Sequence, residues 1–224
     1  MQALAPVLLL DTCGHVGTIA LATKLEPGSQ VLSIAMPGRS ASERLVASVR
    51  ELVGSAGISV SALGLIAVVH GPGSFTGVRV GVSAAKGLCE ALGLPVVAIS
   101  RLAVLAEAGG TGRVLSVLDA GRGEFYCGLY EGGSSIREAL LTREEIDRLA
   151  AGARVVVCEP QVAEALAELQ PILVEAPTAA AGWALVLRRV EAGQFDDVAT
   201  LDANYLRRTD AEILLKRQAA RAGR

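Results

Sequence analysis

At 224 residues, with 51% hydrophobic side chains but only 3% aromatic and a net charge of −2, the chain excludes several classes at once. It is too apolar and too nearly neutral for a disordered chain, and four cysteines in this length do not make a disulfide framework. A pI of about 5.8 is far from the basic balance of a free-standing nucleic-acid binder, and three Phe, three Tyr and one Trp leave little for single-strand stacking platforms. The apolar content is mostly Ala, Val and Leu, which predicts close helix–sheet packing.

The apolar start at Met1–Leu10 has no basic lead and meets Asp11 too soon for a signal peptide. The longest stretch without an acid or a base, Leu52–Val78, is broken by Gly54, Gly57, Gly64 and the Gly71-Pro72-Gly73 run, so it does not read as a membrane helix. A cytoplasmic protein without a membrane partner is expected. Cys13, Cys89, Cys127 and Cys158 lack C-x-x-C spacing and read as buried thiols.

In chain order, Val7–Leu10 is a short strand ending in Asp11, Gly14 and Gly17 bracket a turn, and Val16–Ala22 and Val31–Met36 complete an antiparallel meander. Ser40 and Glu43 have capping-box spacing, and Leu45, Val49 and Leu52 follow on one helical face until Gly54 and Gly57 end it. Leu63–His70 is a buried-type strand running into Gly71-Pro72-Gly73-Ser74-Phe75-Thr76-Gly77. A helix over Thr76–Leu92 then carries Val78, Val82, Ala85, Cys89 and Leu92 on its apolar face, stopped by Gly93 and followed by a strand at Pro95–Ile99. The second half repeats this opening: a strand at Arg113–Leu118, Asp119, a turn at Gly121 and Gly123, and a strand at Glu124–Tyr130. Helices are expected at Glu144–Ala150, Gln161–Leu169 and Thr178–Glu191, with a strand at Arg154–Cys158. The two aspartates stand 108 residues apart (119 − 11), which predicts two related α/β halves. The expected division is an N-terminal lobe over 1–103, a smaller lobe over 104–200 and a helical, basic segment over 201–224. That last segment holds three acids and six bases, a net of +3; it reads as a solvated helix, with a partner or RNA contact as the alternative.

The loop Gly71–Gly77, joining a strand to a helix N-terminus, offers backbone N–H groups and a helix dipole to an anion. Gly71, Gly73, Ser74, Thr76, Gly77 and Arg79 are therefore candidates for a phosphate or interface loop. Known phosphate motifs do not fit: five residues separate Gly71 from Gly77 and Val78 stands where a P-loop needs Lys, while Thr76 occupies the last Gly position of G-x-G-x-x-G. The competing reading is a tight turn that lets another element pack closely. Ser74 lacks the G-x-S-x-G elbow of a hydrolase, with Pro72 and Thr76 at its glycine positions. His15 and His70 are the chain's two histidines, and neither makes H-x-x-x-H or a Cys/His cluster, so no metal site is expected. Asp11 and Asp119 could hold a hydrated Mg²⁺ beside phosphates or accept N–H groups of their own turns.

Together, Leu8-Leu9-Leu10-Asp11-Thr12, Ser42-Glu43-Arg44-Leu45, His70-Gly71-Pro72-Gly73-Ser74-Phe75-Thr76-Gly77-Val78-Arg79-Val80-Gly81, Ala84-Ala85-Lys86-Gly87-Leu88, Leu118-Asp119-Ala120-Gly121-Arg122-Gly123-Glu124 and Tyr205-Leu206-Arg207 closely resemble the TsaB (YeaZ) family along nearly the whole chain. One position departs: Ala41 stands where members often carry His. The resemblance implies two related lobes of the actin-like/Hsp70-like ATPase (ribonuclease H-like) fold. It implies a noncatalytic subunit of the bacterial complex that forms N6-threonylcarbamoyladenosine at position 37 of ANN-decoding tRNAs. The expected partners are the paralogous catalytic subunit TsaD and the ATPase TsaE, with tRNA met only through the complex and a homodimer as a further form. No cofactor is expected in the isolated chain, with ATP or ADP placed at the complex interface and Asp11 and Asp119 left as vestigial carboxylates. The family pairs through the helices placed here at Ser40–Val53 and Thr76–Leu92, so Leu45, Val49, Leu52, Val78, Val82, Ala85 and Cys89 are the expected partner-binding residues, and Val82→Arg is expected to harm association more than folding. The alternative is an active peptidase or small-molecule kinase of the same fold.

Overall fold

The computed structural model describes residues 4–37 and 41–207. The first half runs through strands β1 (Val7–Asp11), β2 (Val16–Ala22) and β3 (Val31–Pro37), helix α1 (Ala41–Ser55), strand β4 (Leu65–Val69), helix α2 (Phe75–Leu92), strand β5 (Val96–Ile99) and helix α3 (Arg101–Glu107). The second half runs through β6 (Arg113–Gly121), β7 (Glu124–Glu131), β8 (Ser134–Leu141), α4 (Arg143–Leu149), β9 (Arg154–Val157), α5 (Pro160–Ala165), β10 (Ile172–Leu173) and α6 (Trp183–Glu191).

The two halves follow one plan. The first sheet has the order β3-β2-β1-β4-β5 and the second β8-β7-β6-β9-β10. In each, the first three strands pair antiparallel, and the first, fourth and fifth run parallel with helical crossovers. This is the two-lobed actin-like ATPase arrangement. β1, β4 and β5 are buried at every residue, as parallel strands covered on both faces must be. The repeat expected from Asp11 and Asp119 is real at backbone level: β1 ends at Asp11, and Asp119 lies near the end of β6, just before the Gly121 turn.

The last helix of each half packs on the other half's sheet. α3 lies against β6, β7 and β9, and its Leu102, Leu105 and Ala106 join Val114, Leu118, Tyr130 and Val156 in one cluster. The alternate residues Leu115, Val117, Val155 and Val157 face the other way, toward α4 and α5. Conversely, α6 packs on β5, and Ala179, Trp183, Val186, Leu187, Val190 and Leu201 belong to the core of the first sheet. The expected lobe boundary is corrected accordingly. Residues 101–107 contribute to the second lobe's packing, and residues from Ala179 to Leu201 close the first. Of the expected helical segment over 201–224, residues 201–207 form no helix, and the rest lies outside the described residues, as does the capping serine Ser40.

Three elements are not legible in the sequence: the two-residue strand β10, α3 and β8. α3 spans seven residues, too few for a helical period to show, although Ser100 caps it by accepting the Leu102 N–H at 3.2 Å. β8 is rich in helix-favouring Arg, Glu, Ala and Leu, and its first four residues are exposed. Its signal was the turn before it: Gly132 and Gly133, at φ +58° and +81°, form the two-residue connection of a tight hairpin.

Candidate functional site

The loop Gly71–Gly77 is a packing device. Ser74 donates its N–H to the Cys13 carbonyl at 2.8 Å, and the Thr12 hydroxyl donates to the Gly77 carbonyl at 2.5 Å. A β-carbon at Gly73 would collide with the Cys13 carbonyl oxygen, and one at Gly77 with that of Thr12. The glycines therefore let the start of α2 sit directly on the turn after β1. Gly71 itself is in the left-handed region at φ +113°, where glycine carries no steric penalty. Ser74 caps α2 by accepting the Gly77 N–H at 3.3 Å. Two of the loop's amides are committed in this way, so the tight turn is what the geometry shows directly. Thr76 and Arg79 project from α2 to solvent instead.

Asp11 and Asp119 behave as the repeat demands. Asp11 Oδ1 accepts the Cys13 N–H at 2.9 Å, and Asp119 Oδ1 accepts the Gly121 N–H at 2.7 Å. Each aspartate caps its own turn two residues on. Asp11 is 1% exposed. Burial pushes its carboxyl up, and the Arg101 guanidinium and the Cys13 N–H pull the other way. Burial likewise raises Glu159, opposed by the Asp119 N–H, which it accepts at 2.8 Å, and by Arg101. Arg101, 7% exposed, thus acts on a carboxylate from each lobe. It starts α3, and its N–H donates to the Gly71 carbonyl at 2.7 Å. Space for its guanidinium is made by Gly14, where a β-carbon would stand 2.8 Å from Arg101 Nη2.

The fold family implies a metal–nucleotide in this cleft, and the residues present do not fit one. Arg101 is buried beside the carboxylates and lowers the pKa of both Asp11 and Glu159, and the glycine loop packs on Thr12 and Cys13. No group of three or more His, Cys, Asp or Glu among the described residues could hold a metal ion.

A nucleophile is equally unsupported. Ser74 Oγ is engaged as a helix cap, and His70 Nδ1 faces the Asp202 carbonyl at 3.2 Å. The four cysteines are free, three of them buried and Cys158 half-buried. Burial, helped by Asp11, pushes Cys13 well up; burial sets Cys89 and Cys158 at about 11 and Cys127 at about 12, so all are thiols at neutral pH.

The expected partner-binding residues need correction. Leu45, Val49, Leu52, Val78, Val82, Ala85 and Cys89 are all buried within the chain's own core, Val82 at 6% exposure. The reason is geometric. An amphipathic helix on a sheet turns its most apolar stripe toward that sheet, and α2 packs on β4, β1 and β5 while α1 packs on β3 and β2. What the pair offers outward is the opposite face. On α1 this includes Val46, 63% exposed, and Ala47; on α2 it is Thr76, Arg79, Val80, Ser83 and Gly87. Phe75, Thr76, Arg79, Val80 and Ser83 line a shallow open groove there.

A C-terminal strap borders this face. Lys86 Nζ donates to the carbonyls of Ala199 and Leu201 at 3.0 and 3.1 Å, and Asn204 donates its N–H to the His70 carbonyl at 2.7 Å. The strap then reaches the second lobe. Asn204 Nδ2 donates to Glu138 at 2.7 Å, and Arg207 bonds the Ala120 and Gly121 carbonyls at 2.9 and 3.1 Å and pairs with Glu124 at 2.7 Å. Tyr205 lies between these anchors, beside Arg79 and Phe75. The sequence signal for it is the Tyr205-Leu206-Arg207 run.

The family model described as "TsaD: tRNA N6-adenosine threonylcarbamoyltransferase" matches residues 36–210. The Escherichia coli (strain K12) tRNA threonylcarbamoyladenosine biosynthesis protein TsaB is 31% identical over 129 residues, covering 56% of this chain and 54% of that protein. Its Bacillus subtilis (strain 168) counterpart of the same description is 32% identical over 142 residues, covering 62% of this chain and 61% of that protein. The chain thus spans a little over half the length of these curated relatives. The solved structure of YeaZ from Pseudomonas aeruginosa superposes with a TM-score of 0.75 at 30% identity, covering 90% of this chain and 99% of that one.

Proposed function

The chain belongs to the TsaB (YeaZ) branch of the TsaD family, and on that premise we propose that it is a noncatalytic subunit in the formation of N6-threonylcarbamoyladenosine at position 37 of ANN-decoding tRNAs. The near full-length likeness to YeaZ carries this reading. In the proposal the chain supports a catalytic subunit of its own fold, of the TsaD type. A TsaE-type ATPase acts on that complex, and tRNA is met through the partner. The filled cleft and the capped Ser74 support a subunit that contributes a surface rather than a reacting group.

The surface is the outer face of α1 and α2, with Val46, Val80 and Ser83 at its centre. Small and branched side chains let another helix pair approach closely, and a stable interface of standard size buries about 1,600 Å² in total. Ser83→Arg places a long charged side chain on this exposed face without touching the core. It is expected to weaken association with the purified TsaD-type subunit by about 10-fold or more, read by titration calorimetry, with an unchanged melting temperature. Wild-type affinity in Ser83→Arg would remove the face from the proposal.

A further inference from the structure

We infer that Arg79, held between Phe75 and Tyr205, is a built receptor for a carboxylate carried by the protein that docks on α2. The inference rests on the docking face proposed above and assigns its charged anchor. The guanidinium carbon of Arg79 lies 3.7 Å above the Phe75 ring centroid and 5.6 Å from that of Tyr205. Arg79 Nε donates to the Tyr205 hydroxyl at 2.7 Å, and the two rings are 5.8 Å apart. The planar group is thus stacked and its inner edge is satisfied. Among the described residues, the Nε bond is the one hydrogen bond its side chain makes. Its two terminal nitrogens make no hydrogen bond among the described residues, which leaves a fork that matches a carboxylate or phosphate bidentately.

Two observations show that this is more than a surface arginine. Phe75 and Tyr205 stay 54% and 42% exposed, so large aromatic area is left in solvent beside an immobilised cation, the residue mixture of an interface hot spot. Tyr205 is also flanked by anchors: Asn204 ties the strap to His70 and Glu138 on one side and Arg207 ties it to Glu124 on the other. Side-chain entropy that a free arginine would lose on binding is already lost here, which favours affinity.

The oxyanion is a protein carboxylate rather than an RNA phosphate. Tracking a phosphate backbone takes several bases along one groove. Here the groove's other residues are Phe75, Thr76, Val80 and Ser83, the nearby Lys86 is bound to two strap carbonyls, and the chain's net charge is −2. An acidic side chain on an otherwise apolar or small-residue helix is the complementary partner.

The test is calorimetric titration of wild type, Arg79→Gln, Arg79→Met, Arg79→Lys and Ser83→Arg into the purified TsaD-type subunit, with a melting curve for each. Arg79→Gln and Arg79→Met are expected to bind about 100-fold more weakly, and the Met variant guards against loss of the stacked stem. Arg79→Lys should recover little, because a point charge does not replace a fork. All Arg79 variants should melt within a few degrees of wild type. If Ser83→Arg abolishes binding but the Arg79 variants bind within about 3-fold of wild type, the face stands and the receptor is wrong. If Ser83→Arg binds as wild type does, the docking face itself fails. If affinity for the protein is unchanged while tRNA retention by the assembled complex falls in Arg79→Gln, the fork serves a phosphate and the carboxylate assignment is overturned.

Discussion

Arg101→Gln is expected to lower stability by about 1–2 kcal/mol near neutral pH and by clearly less near pH 5, measured by urea unfolding at both. Arg101 is the buried positive charge that acts on Asp11 from the first lobe and Glu159 from the second. Burial raises both acids above their ordinary range, and Arg101 opposes the rise. An acid whose folded pKa lies above its unfolded pKa destabilises the protein once pH exceeds the folded value, and that cost vanishes below the unfolded value. Without Arg101 both folded values climb further, so the variant's extra penalty is largest near neutral pH. It shrinks as acidification neutralises the two carboxyls, by about 1.4 kcal/mol for each unit of upward shift removed. The groups facing this cluster also include Cys13, Asp119 and His15, and Cys13 stays a thiol throughout the range. A penalty that does not change with pH would mean that Arg101 acts through packing alone.

Val82→Arg is expected to cost about 4 kcal/mol or more, enough to prevent folding of a marginal chain, whereas Ser83→Arg one residue along should be near neutral for stability. Val82 is 6% exposed in the core of the first sheet, next in the chain to Gly81, where even a β-carbon would crowd Thr12 Oγ1. A guanidinium there finds no partner and no water. Denaturant melts and circular dichroism of the two variants separate the inward face from the outward one. A folded Val82→Arg that had merely lost association would contradict the packing of α2.

The fold was largely legible because its signals are local. Buried strands such as Leu65–Val69 are unbroken apolar runs, and Asp11 and Asp119 mark the repeat by performing the same turn chemistry twice. The exchange of α3 and α6 between lobes was not legible. Leu102 and Trp183 are ordinary apolar residues in sequence, and only long-range packing decides which sheet they cover. The interface residues were misassigned for a related reason. Periodicity identifies an apolar stripe on α2 but does not say whether a sheet of the same chain or another protein covers it. In this molecule the chain's own sheet claims the stripe of Val78, Val82, Ala85 and Cys89. The surface left over is the less apolar one, with Ser83 and the stacked Arg79. That stack joins residues 126 apart in the chain, a distance no local pattern spans.

Asp11 and Asp119 are each bonded to their own turn, the glycine loop is folded against Thr12 and Cys13, and Arg101 opposes the rise that burial imposes on Asp11. The strap links the outer face of α1 and α2 to both lobes.

The central claim is tested most directly by reconstituting N6-threonylcarbamoyladenosine formation on an ANN-decoding tRNA from purified TsaD-type and TsaE-type proteins and the activated threonylcarbamoyl donor, with and without this chain. Modified tRNA is expected to accumulate only when the chain is present, Ser83→Arg is expected to shift the concentration of chain required upward by about 10-fold or more, and the chain alone is expected to modify nothing. Full-rate modification without the chain, or modification by the chain alone, would contradict the claim.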